Sequence, residues 1–366
     1  MKIAILGTRG IPNNYGGFEQ CAEFLSIGLV KKGHFVTVYS PSYHPYKENS
    51  YKGVKIIKKS SPQKFFGNSA ANFIYDYLCL KDATKKDFDI ILQLGLITAS
   101  LSIIFCRHRG KIIATNIDGL EWKRSKWNKL IQSLTRLLEK YGVKYSDYLI
   151  ADNLAIQDYL FNEYNVESKL IEYGTVPINK PELSYLKKYS MYKAKYIVTI
   201  ARLEPENNLE MICDGYINSK INMPYYIIGN HLTDYGDFLK DKYRGSGIKF
   251  LGGIYDKKFL DSIRYYSYCY IHGHSVGGTN PALLEAMAAK ALIIAHNNKF
   301  NKSVINDDAF YFNSADDISK ILKRKSLLLN KNKFIDNNCK KVERLYNWRV
   351  IVQKYEQYFL DILNKK

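Results

Sequence analysis

MKIAILGTRGIPNNYGGFEQ, residues 1–20, is the stretch on which the reading of this chain turns. The apolar run KIAIL (2–6) breaks at Gly7 into a loop carrying four glycines. From about Phe18 the pattern becomes helical, with Phe18, Ala22, Leu25 and Leu29 on one face and Gly33 as the stop. A strand, loop and helix that open a sheet set the loop at the carboxyl edge, where open α/β sheets bind ligands. Gly16 and Gly17 let the backbone approach a ligand closely, and the helix N-terminus offers N–H groups to an anion. The alternative is a long turn whose glycines serve geometry only. The loop does not spell G-x-G-x-x-G, and the second strand, FVTVYSPSYH, ends without an acidic residue, so no dinucleotide cofactor is expected.

Outward from this unit, short β-branched or aromatic runs alternate with helical patterns, the signature of parallel sheets with crossover helices. Strands are predicted at 2–6, 35–39, 54–58, 88–93, 111–116, 148–152 and 169–173. The pattern lapses in PINKPELSYLKKYSMYKAK (177–195), which reads as an interdomain linker. It restarts with strands at 196–201, 225–229, 248–252, 268–273 and 292–296. A chain of 366 residues is too long for one ordinary core. The expected division is a Rossmann-like domain at 1–178, a second at 179–345, and an amphipathic tail at 346–366 that packs back on the first.

Lys and Arg exceed Asp and Glu by 19 charges, which raises nucleic acid, an acidic membrane face or a phosphorylated small molecule as partner; the alternative is the Tyr- and Lys-rich composition that an AT-rich genome encodes. The basic residues are dispersed and no recognition module appears, so nucleic acid is not the expected partner, although it would account for the charge directly. The six cysteines show no C-x-x-C pair and no ligand spacing; they read as reduced thiols, without structural zinc or other metal. The N-terminal run is too short for a signal peptide. IILQLGLITASLSIIFC (90–106) carries Gln93 and Gly95, and fits a buried strand turning into a helix better than a membrane span.

Three further motifs carry candidate chemistry. In HGHSVGGTNPALLEAMAAK (272–290), Asn280 and Pro281 read as N-cap and first residue of a helix behind Gly277, Gly278 and Thr279, an anion site by construction. Glu285, one turn inside, suits two ribose hydroxyls or else faces solvent. In IARLEPENNLE (200–210), Arg202 leaves a strand end where a guanidinium can meet phosphate; the alternative is an ion pair with Glu204 or Glu206. In TNIDGLEWKRSKWNK (115–129), Asp118, Glu121, Trp122, Lys123 and Arg124 suit sugar hydroxyls. WKRSKWNKLIQSLTRLLEK (122–140) is basic and amphipathic, a profile for an anionic membrane surface or for a solvated helix face.

GTRGIPxxYGGFE, DGLEWKRxKW, ARLEPENN and HSVGGTNPxLLEAM, in this order, together resemble the GT-B glycosyltransferases of family four. Within it they are most similar to the bacterial branch that includes streptococcal rhamnosyltransferases of capsule and cell-wall polysaccharide synthesis. The resemblance implies an α/β GT-B fold: two Rossmann-like domains facing a cleft, the N-terminal one binding acceptor and the C-terminal one binding a nucleotide-diphosphate sugar, with no cofactor and no metal. It implies that Glu285 binds ribose, that Arg202 meets the diphosphate, and that Gly16 and Gly17 close over it. Gly278, Thr279 and Asn280 complete the donor set. Asp118 falls where many members carry a histidine near the reacting carbon.

Two departures bear on the donor. The glutamate expected eight residues before Glu285 is Gly277, and the lysine expected five after Arg202 is Asn207. A less polar deoxysugar is consistent with both, and the branch suggests dTDP-L-rhamnose. The resemblance implies retention of anomeric configuration, with Asp118 and Arg202 as the catalytic candidates. It further implies a polyprenyl-diphosphate-linked saccharide acceptor, met by a cytoplasmic enzyme at the inner face of the plasma membrane. A GT-B sugar-nucleotide epimerase shares the fold and donor pocket and stands as the alternative.

Overall fold

The structure is a computed structural model that describes residues 1–14, 16–107, 110–117, 119–124, 127–189, 191–324 and 329–365. The chain divides into two units, one of Met1–Lys123, Trp127–Gly174 and Trp348–Lys366, the other of Arg124–Lys126 and Thr175–Asn347. The division thus falls at Gly174, four residues before the expected 178, and the tail departs at Trp348 rather than 346.

In the first unit the strands are β1 (Lys2–Leu6), β2 (Phe35–Pro41), β3 (Ser50–Tyr51), β4 (Val54–Lys59), β5 (Ile90–Leu94), β6 (Ile112–Ile117), β7 (Tyr148–Ala151) and β8 (Lys169–Leu170). Among the described residues they lie in the order β3-β4-β2-β1-β5-β6-β7-β8, all parallel except β3. Ile5 pairs with Val38 on one side and Leu92 on the other, so the order reverses between β1 and β5. Its helices are α1 (Gly17–Lys31), α2 (Gln63–Ala83), α3 (Ser100–Cys106), α4 (Lys129–Tyr145) and α5 (Leu154–Tyr164). β1 and β5 are buried along nearly their whole length because crossover helices cover both sheet faces, which is why they read as continuous apolar runs.

The second unit has β9 (Ile197–Ile200), β10 (Tyr225–Ile228), β11 (Ile248–Gly252), β12 (Cys269–His272), β13 (Ile293–His296) and β14 (Phe310–Phe312). Their order is β11-β10-β9-β12-β13-β14, all parallel, with the reversal between β9 and β12. The helices are α6 (Leu209–Ser219), α7 (Asp234–Lys242), α8 (Lys257–Tyr265), α9 (Pro281–Ala288), α10 (Lys299–Ile305), α11 (Ala315–Lys323) and α12 (Lys331–Lys341). The core is aliphatic and tyrosine-rich, around Ile197, Tyr225, Ile271, Ile294 and Phe312.

The stretch expected to be a linker is part of this unit. Leu183–Tyr189 forms a 3-10 helix, Leu186 and Met191 are buried, and Tyr189 packs on Phe259 of α8. Its anchors are Leu186, Met191 and Tyr189, spaced irregularly, while Leu183 and Tyr192 stay exposed.

A last helix, α13 (Trp348–Asn364), belongs to the first unit. Trp348 stacks on Phe24 with ring centroids 5.0 Å apart, and Asn116 donates to the Tyr355 hydroxyl at 2.9 Å. Among the described residues no helix is long and apolar enough to cross a membrane.

Candidate functional site

In the second unit the reversal between β9 and β12 brings two loops together at the carboxyl edge of the sheet. Asn208 Nδ2 donates to the Gly273 carbonyl at 2.7 Å, while Ser275 donates through both its amide and its hydroxyl to the Glu206 carbonyl. Asn207, where the resemblance leads one to expect a lysine, is a brace: its Nδ2 donates to the Arg202 carbonyl at 2.7 Å and its Oδ1 meets His274 Nδ1 at 3.0 Å. Asn298 and Asn301, from the start of α10, both donate to the His274 carbonyl. Gly273 permits this stitching, because a Cβ there would lie 2.0 Å from the Asn207 carbonyl oxygen.

The stitched loop then delivers the start of α9. Gly277, at φ +132°, turns beneath His274, Thr279 is buried, and Asn280 caps the helix by accepting from the Ala282 amide at 2.9 Å. Pro281 at the first helical position has no N–H to satisfy. Gly278, Thr279 and Asn280 are therefore placed at a helix N-terminus, whose amides and dipole attract an anion.

The carboxylates around this junction are answered by arginines. Arg264 of α8, with 2% of its side chain exposed, donates to Glu285 Oε2 at 2.6 Å. Glu285 is thus neither a plain solvent-facing residue nor unrestrained; a buried cation sets its direction. Arg202 is half exposed and lies 3.6 Å from Glu204, while Arg124 lies 3.5 Å from Glu204 and 3.3 Å from Glu206. Arg124 therefore belongs with the second unit's ion pairs. His272, 4% exposed, has its pKa pushed down to about 3 by burial, with His296 and Arg264 adding to the effect. Burial, together with His272, Arg124 and Arg202, likewise holds His274 neutral.

At the first unit's reversal point, Gly7 (φ +77°) packs where a Cβ would lie 1.9 Å from the Leu94 carbonyl oxygen, so β1 ends hard against β5. The loop beyond it is held by the chain's own acids. Glu19, in the first turn of α1, accepts from the Arg9 amide at 2.7 Å and from the Thr8 hydroxyl, and Glu23 accepts from the Asn13 amide at 2.6 Å. Gly16, at φ +104°, is the N-cap and offers no side-chain cap; Gly17 begins the helix. Burial raises the pKa of Glu19. Asp76 of α2, passed over in the sequence, is buried near Thr98, and burial raises its pKa to about 7.

Glu121, Trp122 and Lys123 form one 3-10 turn after β6. Trp122 lies beside Tyr159 and under the charges of Lys123 and Arg136, and Glu121 accepts from the Trp127 indole at 3.4 Å. Asp118 lies outside the described residues. Among those described, no group of three or more His, Cys, Asp or Glu side chains is arranged to hold a metal ion. Arg264, His272 and the bracing asparagines escaped the sequence reading. The one available signal was an arginine next to Ile263 on the apolar side of α8.

Two parallel sheets with these strand orders place the chain in the GT-B fold class, and solved structures of that class match it over its full length. Sucrose-phosphate synthase from Thermosynechococcus elongatus superposes with a TM-score of 0.82 at 14% identity, covering 100% of both chains. HepE from Anabaena, solved with UDP, superposes with a TM-score of 0.71 at 13% identity, covering 99% of this chain and 100% of that one. In sequence, an uncharacterised glycosyltransferase of Methanocaldococcus jannaschii is 24% identical over 399 aligned positions, covering 100% of this chain and 99% of the relative. A family model described as a domain of unknown function, DUF1972, matches residues 1–176.

Proposed function

We propose that this chain is a glycosyltransferase that takes its sugar from a nucleotide-diphosphate donor held at the carboxyl edge of the second sheet. The observation that carries the reading is the β12–α9 junction, a capped helix N-terminus with Glu285 one turn inside and fixed by buried Arg264. In this reading the Gly278–Asn280 turn, the positive end of the α9 dipole and Arg202 hold the diphosphate and oppose the charge that develops as it leaves. Glu285 accepts from the ribose hydroxyls. The GT-B fold shared with HepE, which has been solved with UDP-glucose, supports the donor class.

The finer reading is transfer of L-rhamnose from dTDP-L-rhamnose to a polyprenyl-diphosphate-linked saccharide. Its support is the absence of charge where the resemblance puts the sugar: Gly277 replaces a glutamate, Asn207 replaces a lysine, and His272 and His274 are held neutral. An uncharged surface suits a deoxysugar with few hydroxyls. The acceptor is met by the first unit, with Asp118, Glu121, Trp122 and Lys123 as candidate contacts beside Arg124. Configuration is retained by front-face substitution: the bond from the anomeric carbon to the phosphate oxygen breaks, the bond to the acceptor oxygen forms, and the acceptor's proton passes to the leaving phosphate. Helix dipole and arginine, rather than a metal, carry the charge stabilisation.

Thermal shift against dTDP, UDP and GDP tests the donor. A saturating nucleoside diphosphate, near a hundredfold over its Kd, stabilises by about 2.7 kcal/mol. The expected order places dTDP first, followed by transfer of rhamnose from dTDP-L-rhamnose. Preference for UDP or GDP removes the rhamnosyl reading and keeps the transferase; no stabilisation by any of the three removes both.

A further inference from the structure

We infer that α3 and α4 together form a docking face for an anionic lipid bilayer, a conclusion that stands without the transferase reading. On α4, Leu130, Leu134, Leu137 and Tyr141 recur at spacings of four, three and four, and all are exposed, Leu130 to 79%. On α3, Leu101 and Phe105 are exposed one turn apart, Phe105 to 69%.

The two strips adjoin. α4 meets α3 where Gly142 packs on Ser100, and Arg107 lies over the Tyr145 ring at 4.1 Å. Tyr141 and Leu101 follow or precede those contact residues by one position, about 100° of helical rotation, which puts both strips beside the α3–α4 seam. From Leu130 to Tyr141 the stripe runs about 16 Å at 1.5 Å per residue.

Charge chooses the occupant. Lys129, Lys140 and Lys144 are exposed along the flank of the stripe. The helix has one acid, Glu139, and it is buried, accepting from the Tyr159 and Tyr164 hydroxyls; Glu163 of α5 is bound to Arg136. An apolar stripe edged with lysines, with tyrosines at its C-terminal end, lies in a headgroup layer with its leucines in the acyl boundary and its ammonium groups on lipid phosphates. A protein groove would take the leucines but would not call for an acid-free, lysine-bordered rim.

The test is co-sedimentation of the full chain with vesicles of phosphatidylcholine alone and of phosphatidylcholine with phosphatidylglycerol. Partition into the anionic vesicles should exceed that into the neutral ones by about tenfold or more, since each lysine near the surface contributes about 1 kcal/mol. Leu130→Ser with Phe105→Ser should lower anionic partition by about tenfold or more, with helical content unchanged because both side chains are exposed. Lys129→Gln with Lys140→Gln and Lys144→Gln should erase the preference for anionic lipid. Equal binding to both vesicles, or undiminished binding by the serine pair, overturns the proposal. So does sedimentation velocity showing a self-association that the serine pair abolishes while vesicles leave the wild type unbound; the face would then belong to a second copy.

Discussion

The two strand-to-helix junctions, β1–α1 in the first unit and β12–α9 in the second, use the same glycine-rich turn to opposite ends. At β1–α1 the chain brings carboxylates to its own loop: Glu19 takes the Arg9 amide and Glu23 the Asn13 amide, and the N-cap is a glycine. At β12–α9 the loop is pinned by neutral asparagines through its carbonyls, and the nearby acids are each matched with an arginine. One junction meets its loop amides with carboxylate charge. The other keeps the positive end of its helix free of competing negative charge, which is what an anion site requires.

The comparison breaks first at its shared element. Gly7→Ala and Gly273→Ala each force a Cβ into a carbonyl oxygen, at 1.9 and 2.0 Å, and each should destabilise by more than about 4 kcal/mol in urea unfolding. Tolerance of either would mean that its loop is not seated as described. Next, Glu285→Ala leaves the Arg264 guanidinium buried without its closest acid, and should cost about 3 kcal/mol along with nucleotide-induced stabilisation. Loss of affinity without loss of stability would mean that Arg264 finds another partner.

The two junctions should also respond to pH with opposite sign. His272 has a folded pKa of about 3, below its ordinary 6.5, so the unfolded chain binds the extra proton between those values. His272 therefore makes stability fall as pH drops below about 6.5, by about 1.4 kcal/mol per unit; buried His274, lowered for the same reason, adds to that fall, and His272→Phe should remove only the share that belongs to His272. Glu19 is raised instead, so the folded state holds the proton longer. Its contribution is present below the ordinary glutamate value and is lost as pH rises through the raised one; Glu19→Gln should flatten that decline. Unfolding curves of both variants from about pH 4, below the ordinary glutamate value, to about pH 8 decide it, and slopes of equal sign would undo the contrast. The smallest effect belongs to Asn280→Ala, about 1 kcal/mol for a lost cap, with a parallel weakening of nucleoside diphosphate binding.

What the sequence discloses follows from the range of each interaction. β1, β5 and β12 are legible because burial on both faces selects continuous apolar runs, and Asn280–Pro281 because capping is local. The two-residue β3 and the three-residue β14 are too short to carry a period. Arg264 and Glu285 lie 21 positions apart on different helices, and no local pattern announces that one is buried to orient the other. Arg124 stands in a run of basic and aromatic residues that reads as one cluster, yet its partners, Glu204 and Glu206, lie some eighty positions on. The lysine-rich stretch at 177–195 misleads in the other direction, since composition reports its surface and hides Leu186 and Met191 beneath it.

The place of α13 also sets an order of events during synthesis. Its buried face, from Trp348 to Ile362, completes the unit that begins at Met1, with Val352 set against Gly28 of α1. The ribosome makes the whole second unit between those two halves. While it does so, the Phe24 and Gly28 side of α1 has no cover, and the second unit, nearly continuous in sequence, can reach its native state first. A nascent chain arrested before Trp348 should therefore present a folded second unit beside an unfinished first one, the kind of surface that chaperones engage.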